Sequence, residues 1–321
     1  MSPLFRTLLM LHNFLFSITF LNILIFASTE TLASEGVRVF ILAGQSNMVG
    51  AGEVNLNPSR NDGKGSLQWL TENASTKNSY SPLRTNTGAW VQRDDVFIWF
   101  LDRKGPLEPG YGSNLHKIGP ELGFGWTVGD AFEEPVLLIK LAWGGKSLAE
   151  DFRPPSLEGD TGPYYLDVIE KTKEILATAD QLFPELKGNS FKLTGFGWHQ
   201  GWNDRINQSF NDAYEKNMIQ FIKDVRRELG KPDLPFVIAE TGMSGPEEKH
   251  PRALSLMAAQ KGVADYPDFK GNVAFVPTQE LYRPPEDSPS KQAYHWNNNA
   301  ETYYLIGKHM GETMHFLVKS K

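Results

Sequence analysis

The chain has 321 residues, enough for one large or two small globular domains, and its 40 % hydrophobic content is ordinary for such a fold. A formal net charge of −6, with no run of lysine or arginine, argues against nucleic acid as a partner. With no cysteine, the chain has no thiol nucleophile, thiolate zinc site, iron–sulfur cluster or disulfide.

The first segment carries Arg6 as its lone positive charge, an apolar stretch at 14–27 (FLFSITFLNILIFA) and the small-residue tripeptide Thr31-Leu32-Ala33. That order predicts a secretory signal peptide over 1–33, and hence a secreted or periplasmic protein. An uncleaved membrane anchor is the competing reading. A span wants about 18 apolar residues, and Asn13 and Asn22 weaken this one. No other membrane association is expected. The remainder, 34–321, reads as a single domain.

That domain opens with the apolar run 37–43 (VRVFILA), which leads straight into Gly44-Gln45-Ser46-Asn47-Met48. A buried strand ending in a serine, beside a glycine and a side-chain amide, is how α/β hydrolytic enzymes lift a nucleophile out of a sheet. The helix that follows offers N–H groups to a developing oxyanion. The motif is not a Gly-x-Ser-x-Gly elbow, since Met48 occupies the last position, and an ordinary serine N-cap fits the same residues. Next comes 53–117, rich in Asn, Gly, Ser and Pro yet holding Trp69, Tyr80, Trp90, Trp99 and Tyr111. A stretch so long and aperiodic reads as an insertion. Its aromatic rings either stack on sugar rings or pin the insertion to the body.

Regular alternation follows. Apolar runs predict strands at 136–142, 191–198, 235–239 and 273–276. Between them, Val168, Ile169, Thr172, Ile175, Leu176, Ala179 and Leu182 share one face of a helix over 166–182, and a second helix spans 210–229. A final helix starts near Ala300. Near-continuous apolar strands separated by helices predict an α/β fold, a doubly wound parallel sheet covered on both faces. Active sites in such sheets lie beyond the carboxyl ends of the strands.

Three segments there converge on the serine. The 136–142 strand ends in Trp143-Gly144-Gly145-Lys146, where one N–H of the paired glycines could face an oxyanion or the pair simply form a tight turn. The 191–198 strand ends in His199-Gln200-Gly201-Trp202-Asn203-Asp204, whose side-chain amides are candidate third donors. Near the C-terminus, His295 stands in a loop before the last helix, placed to serve as general base for Ser46. The other six histidines lack such a setting. No histidine pair at i, i+4 and no carboxylate cluster suggests a metal site, and no cofactor is expected.

Gly44-Gln45-Ser46-Asn47-Met48, Gly144-Gly145, Trp198-His199-Gln200-Gly201 and the late His295 resemble the ordered blocks of the SGNH (GDSL-type) hydrolases. More narrowly, they resemble carbohydrate esterases of the sialate O-acetylesterase and family 6 acetylxylan esterase type. The resemblance implies a flavodoxin-like three-layer α/β/α sandwich and metal-free removal of O-acetyl groups from carbohydrates. It makes Ser46 the nucleophile and His295 the base. The oxyanion donors would be the N–H groups of Ser46 and Gly145 with the Gln200 amide, or Asn203 as the alternative, because Gly201-Trp202-Asn203-Asp204 also fits a Gly-x-Asn-Asp pattern. The chain departs from the family where an aspartate usually stands three residues before the histidine, since that position is Gln292. Asp287 and Asp204 are the candidate acids to orient His295, or Ser46 and His295 act as a dyad. A hydrolase of other small esters and a non-catalytic carbohydrate-binding protein are the competing functions. Oligomeric state is not readable.

Overall fold

The computed structural model describes residues 36–320, so the predicted signal peptide lies outside the described residues. In chain order the regular elements are β1 (Val37–Gly44), α1 (Ser46–Val49), β2 (Gly52–Glu53), α2 (Leu67–Glu72), α3 (Lys77–Tyr80), β3 (Val96–Phe100), β4 (Arg103–Pro106) and β5 (Lys117–Ile118). They continue as α4 (Pro120–Ala131), β6 (Val136–Ala142), α5 (Pro163–Leu182), β7 (Phe191–His199), α6 (Trp202–Ile206), α7 (Gln208–Glu228), β8 (Phe236–Ala239), α8 (Pro251–Ala264), β9 (Val273–Val276) and α9 (Ala300–Lys319).

The main sheet has the order β4-β3-β6-β1-β7-β8-β9, and every strand but β4 runs parallel to its neighbours. Without the β3–β4 hairpin, the order β6-β1-β7-β8-β9 is the 2-1-3-4-5 arrangement of a flavodoxin-like sheet. The chain reverses its direction of winding at β1, so the loops after β1, β6 and β7 meet above the topological switch point.

Both faces of the sheet are covered, as the continuous apolar strands require. Along β1, Phe40 and Leu42 join one core with Leu122 and Phe124 of α4 and with Tyr303, Ile306 and Met310 of α9. The alternate residues Val39, Ile41 and Ala43 join the other core, with Val168 of α5, Phe221 of α7 and Leu256 of α8. Among the described residues no helix is long and apolar enough to cross a membrane.

The segment 53–117 is more ordered than its composition suggests. It adds the β3–β4 hairpin to the sheet edge and pairs β5 with β2 in a separate antiparallel ribbon. Of its aromatic rings, Tyr80 is buried against Tyr304 and donates its hydroxyl hydrogen to Glu301 at 3.0 Å, and Tyr111 is buried in the core. Trp69 and Trp90 pack on that core from outside, and Trp90 lies under the Arg84 guanidinium. These rings pin the insertion down.

Candidate active site

The site begins with the turn after β1. Gly44 has φ +153°, and a Cβ there would lie 2.2 Å from the His199 carbonyl oxygen, so only glycine lets β1 end against β7. The chain then turns into the short helix α1, whose Met48 and Val49 N–H groups bond the Gln45 carbonyl at 2.8 and 2.9 Å. Ser46, half-buried, is the first residue of that helix, and its N–H finds no acceptor among the described residues.

Gln45, directly before it, is buried and works as a bracket. Its Nε2 donates to Asn203 Oδ1 at 3.1 Å, and its Oε1 accepts from the N–H groups of Gly201 at 3.1 Å and Asn203 at 3.3 Å. Asn203 Nδ2 in turn donates to the Gly145 carbonyl at 2.9 Å, which leaves one amide hydrogen uncommitted. Two side chains thus tie together the loops that follow β1, β6 and β7. Gly145, at φ +70°, is exposed with open space where a Cβ would stand, and its N–H also lacks an acceptor among the described residues.

Gln200 sits differently from its expectation as the oxyanion donor. It is buried, and its two amide hydrogens go to the Lys146 carbonyl at 3.0 Å and to Asp204 Oδ2 at 2.5 Å. No donor remains for a substrate. Asp204 is also not placed to orient a histidine. Its carboxylate is buried and accepts the N–H groups of Leu148 at 2.8 Å and Ala149 at 3.0 Å besides Gln200. Burial pushes its carboxyl up to about 6 despite those three donors. Asp204 is the clasp that holds the chain beyond Gly145. Asp287 is exposed and paired with Lys64 at 3.3 Å, so it too is committed elsewhere.

His295 arrives from the far end of the chain. Asn47, the neighbour of Ser46, donates through Nδ2 to the Tyr294 carbonyl at 3.1 Å and accepts the Tyr303 hydroxyl at 2.8 Å. The loops of Ser46 and His295 are therefore bonded to each other, although no hydrogen bond joins Ser46 Oγ to the imidazole. Such bonds are often long without substrate. After His295 the chain makes a left-handed run, with φ 51°, 55° and 57° at Trp296, Asn297 and Asn298. Backbone strain of that kind persists only where surroundings dictate it. Trp296 is fully buried, Asn297 Nδ2 donates to the Arg283 carbonyl at 3.0 Å, and Asn298 Nδ2 donates to the Ala51 carbonyl at 3.0 Å.

The half-buried His295 ring is held below the usual imidazole range, first by desolvation and then by the Lys117 ammonium. Lys117, on β5, pairs with Glu53 of β2. Trp202 and Tyr294 pack at 5.7 Å beside the imidazole, and Tyr294 is 41 % exposed. His199, by contrast, is fully buried under the site. Its Nδ1 faces the Ala239 carbonyl at 3.4 Å, and desolvation pushes it down to about 4, so it stays neutral. Among the described residues no cluster of three histidine, aspartate or glutamate side chains could hold a metal ion.

A serine at the carboxyl end of the central strand, beside unpaired N–H groups and a histidine from the C-terminal loop, is the layout of an α/β ester hydrolase. Residues 36–315 match the family described as carbohydrate esterase, sialic acid-specific acetylesterase. The chain belongs to that family, and so is a carboxylic ester hydrolase of the carbohydrate acetylesterase group. A probable carbohydrate esterase of Arabidopsis thaliana is 24 % identical over 204 residues, 62 % of this chain and 67 % of that protein. Among solved structures, a protein from Arabidopsis thaliana superposes with a TM-score of 0.56 at 16 % identity, covering 87 % of this chain and 98 % of that one. NanS superposes with a TM-score of 0.51 at 16 % identity over 82 % of this chain and 85 % of its own. Both likenesses place the fold.

Proposed function

We propose that the protein is a serine esterase that removes O-acetyl groups from carbohydrates through an acyl-enzyme. His295 Nε2 takes the proton of Ser46 as Oγ attacks the ester carbonyl. The tetrahedral oxyanion is held by the N–H groups of Ser46 and Gly145 and by the free hydrogen of Asn203 Nδ2. The sugar alcohol leaves with the proton from His295, and water then releases acetate by the same steps. The observation that carries this reading is the bracket of Gln45 and Asn203, which fixes three strand-end loops around Ser46 while two backbone N–H groups stay unpaired. The exposed ring of Tyr294 with Trp202 beside it offers an apolar wall for the C–H face of a sugar.

The reading is tested by hydrolysis of nitrophenyl esters of increasing acyl length, with Ser46→Ala as the control, followed by a panel of O-acetylated sugars. Activity that is greatest on acetate and absent in Ser46→Ala is the expected result. A serine-directed phosphonate probe should add its mass to Ser46 and not to the mutant. Equal activity in Ser46→Ala would overturn the mechanism, and a preference for long acyl chains would overturn the substrate class.

A further inference from the structure

The two candidate aspartates are occupied, Asp204 by two backbone N–H groups and Gln200, and Asp287 by Lys64. The group that faces His295 Nδ1 is Gln292, whose Oε1 stands 3.3 Å away. Gln292 also accepts the His295 N–H on its own carbonyl at 2.8 Å, so one residue holds both the ring and the backbone of the base. The other end of the amide is spoken for, because Gln292 Nε2 donates to the Tyr294 hydroxyl at 2.9 Å. With its N–H₂ turned toward Tyr294, the amide presents its oxygen to the imidazole. Resting on the serine-esterase reading above, we propose that Gln292 is the positioning residue of a charge-neutral triad, Ser46–His295–Gln292, and that its amide oxygen holds the tautomer with the proton on Nδ1.

The chemistry follows from what an amide can and cannot do in that place. Oε1 accepts the Nδ1–H, so Nε2 carries the lone pair that faces Ser46, the tautomer a general base needs. An amide turned the other way would donate to Nδ1 and put the proton on Nε2, the fault that disables serine hydrolases whose aspartate is changed to an amide. What Gln292 cannot supply is a negative charge to stabilise the imidazolium. The charge that does reach the ring is the Lys117 ammonium on β5, itself paired with Glu53 of β2, and it disfavours the imidazolium. Tyr294 meets the ring edge-on at 4.6 Å. The base is therefore weaker than one backed by a carboxylate, and it stays deprotonated to lower pH.

The test compares the wild type with Gln292→Ala and Gln292→Glu, both at an exposed position. Nitrogen NMR of the labelled imidazole reads the His295 tautomer and its titration whether or not an ester is turned over. The Nδ1–H form should dominate in the wild type and give way to a mixture in Gln292→Ala. Gln292→Glu should keep it and raise the His295 pKa by about one unit or more, as an opposite charge does. In kinetics, Gln292→Ala should lower kcat roughly 10- to 100-fold with KM little changed, less than the ~10⁴-fold loss of a triad forced into the wrong tautomer. The acidic limb of kcat/KM should move upward in Gln292→Glu alone. A wild-type imidazole protonated on Nε2, or a His295 titration unmoved in Gln292→Glu, would overturn the proposal. If Ser46→Ala and His295→Ala abolish activity while both Gln292 variants match the wild type, this inference fails and the esterase reading stands. If Ser46→Ala stays active, the esterase reading itself fails.

Discussion

Gln45, Gln200 and Asn203 are three side-chain amides at the ends of β1 and β7, and their hydrogen bonds give them different work. Asn203 keeps one hydrogen free at the surface, Gln45 fixes Asn203, and Gln200 is spent on Asp204 and the Lys146 carbonyl. Asn203→Ala should therefore lower kcat by roughly 10²–10³, the usual loss for one oxyanion donor. Gln45→Ala should cost nearly as much, and the double variant little more than either single change, because the two act as one unit. Gln200→Ala should instead lower stability by about 1–3 kcal/mol, since it strips a buried carboxylate of a donor. Steady-state kinetics and urea unfolding on the three variants decide it. A Gln200→Ala enzyme of normal stability and crippled kcat would reverse the assignment. From sequence, either Gln200 or Asn203 could be the donor, because both follow the same strand end. The choice rests on where each hydrogen goes, which no spacing encodes. Ser46 and His295 stand out in the sequence by their places, after the first strand and before the last helix, whereas Gly145 is singled out only by the family resemblance. The partner of His295 was not, because Gln292 carries none of the acidic signature that a search for a triad looks for.

At the scale of elements, the insertion reaches into the chemistry through one short ribbon. β5 carries Lys117 beside His295, where its charge holds the imidazolium down. Replacing it by Lys117→Gln should raise the His295 pKa and shift the acidic limb of kcat/KM to higher pH, so activity below neutrality falls while the alkaline plateau holds. A pH–rate profile that overlays the wild type would show that Glu53 already cancels the charge. A second element-level device lies under the serine. Lys140, on β6, is fully buried and donates to the carbonyls of Val49 and Tyr111 and to Glu121 Oε2, all at 2.7 Å. One ammonium thus joins α1, the insertion and α4, although burial pushes it down to about 8. Lys140→Met should cost about 3–5 kcal/mol in urea unfolding, because it leaves Glu121 charged and unpaired, and adding Glu121→Leu should recover part of the loss. The elements themselves divide by legibility. Strands β1, β6, β7, β8 and β9 stand out as continuous apolar runs, and α5, α7 and α9 as periodic faces or a capped start. β3 (VFIWF) lay hidden among the polar residues of the insertion. α4 (PELGFGWTVGDA) shows no apolar period because Gly123 packs against the backbone of α9, where a Cβ would lie 1.9 Å from the Tyr304 carbonyl oxygen.

For the molecule as a whole, two buried ionisable groups set opposing pH dependences. His199 is pushed down to about 4 in the folded protein. An unfolded chain binds its proton first, so the stability it lends is complete above about 6.5 and is lost as pH falls toward 4, some 3 kcal/mol in all. Asp204, pushed up to about 6, works the other way: its contribution is present at low pH and is lost as pH rises through 6. The two therefore oppose each other across this window. His199→Gln removes one side of the balance. The gap in unfolding free energy between wild type and variant should narrow by roughly 3 kcal/mol between pH 7.5 and pH 4.5. A gap constant with pH would mean that His199 does not titrate on unfolding.

The β3–β4 hairpin has a consequence for how this chain tolerates shortening. β6, seven residues long and fully buried, lies third from the sheet edge only because the insertion adds β3 and β4 outside it. Its cover ends in β4, a short strand bearing Arg103, Lys104 and Pro106, residues that discourage another chain from pairing there. A version trimmed to the minimal sheet would present VLLIKLA as an open border, a sticky template for a neighbouring molecule. The insertion is thus also the selvedge of the sheet, and shortening this protein is a question of solubility before it is one of specificity.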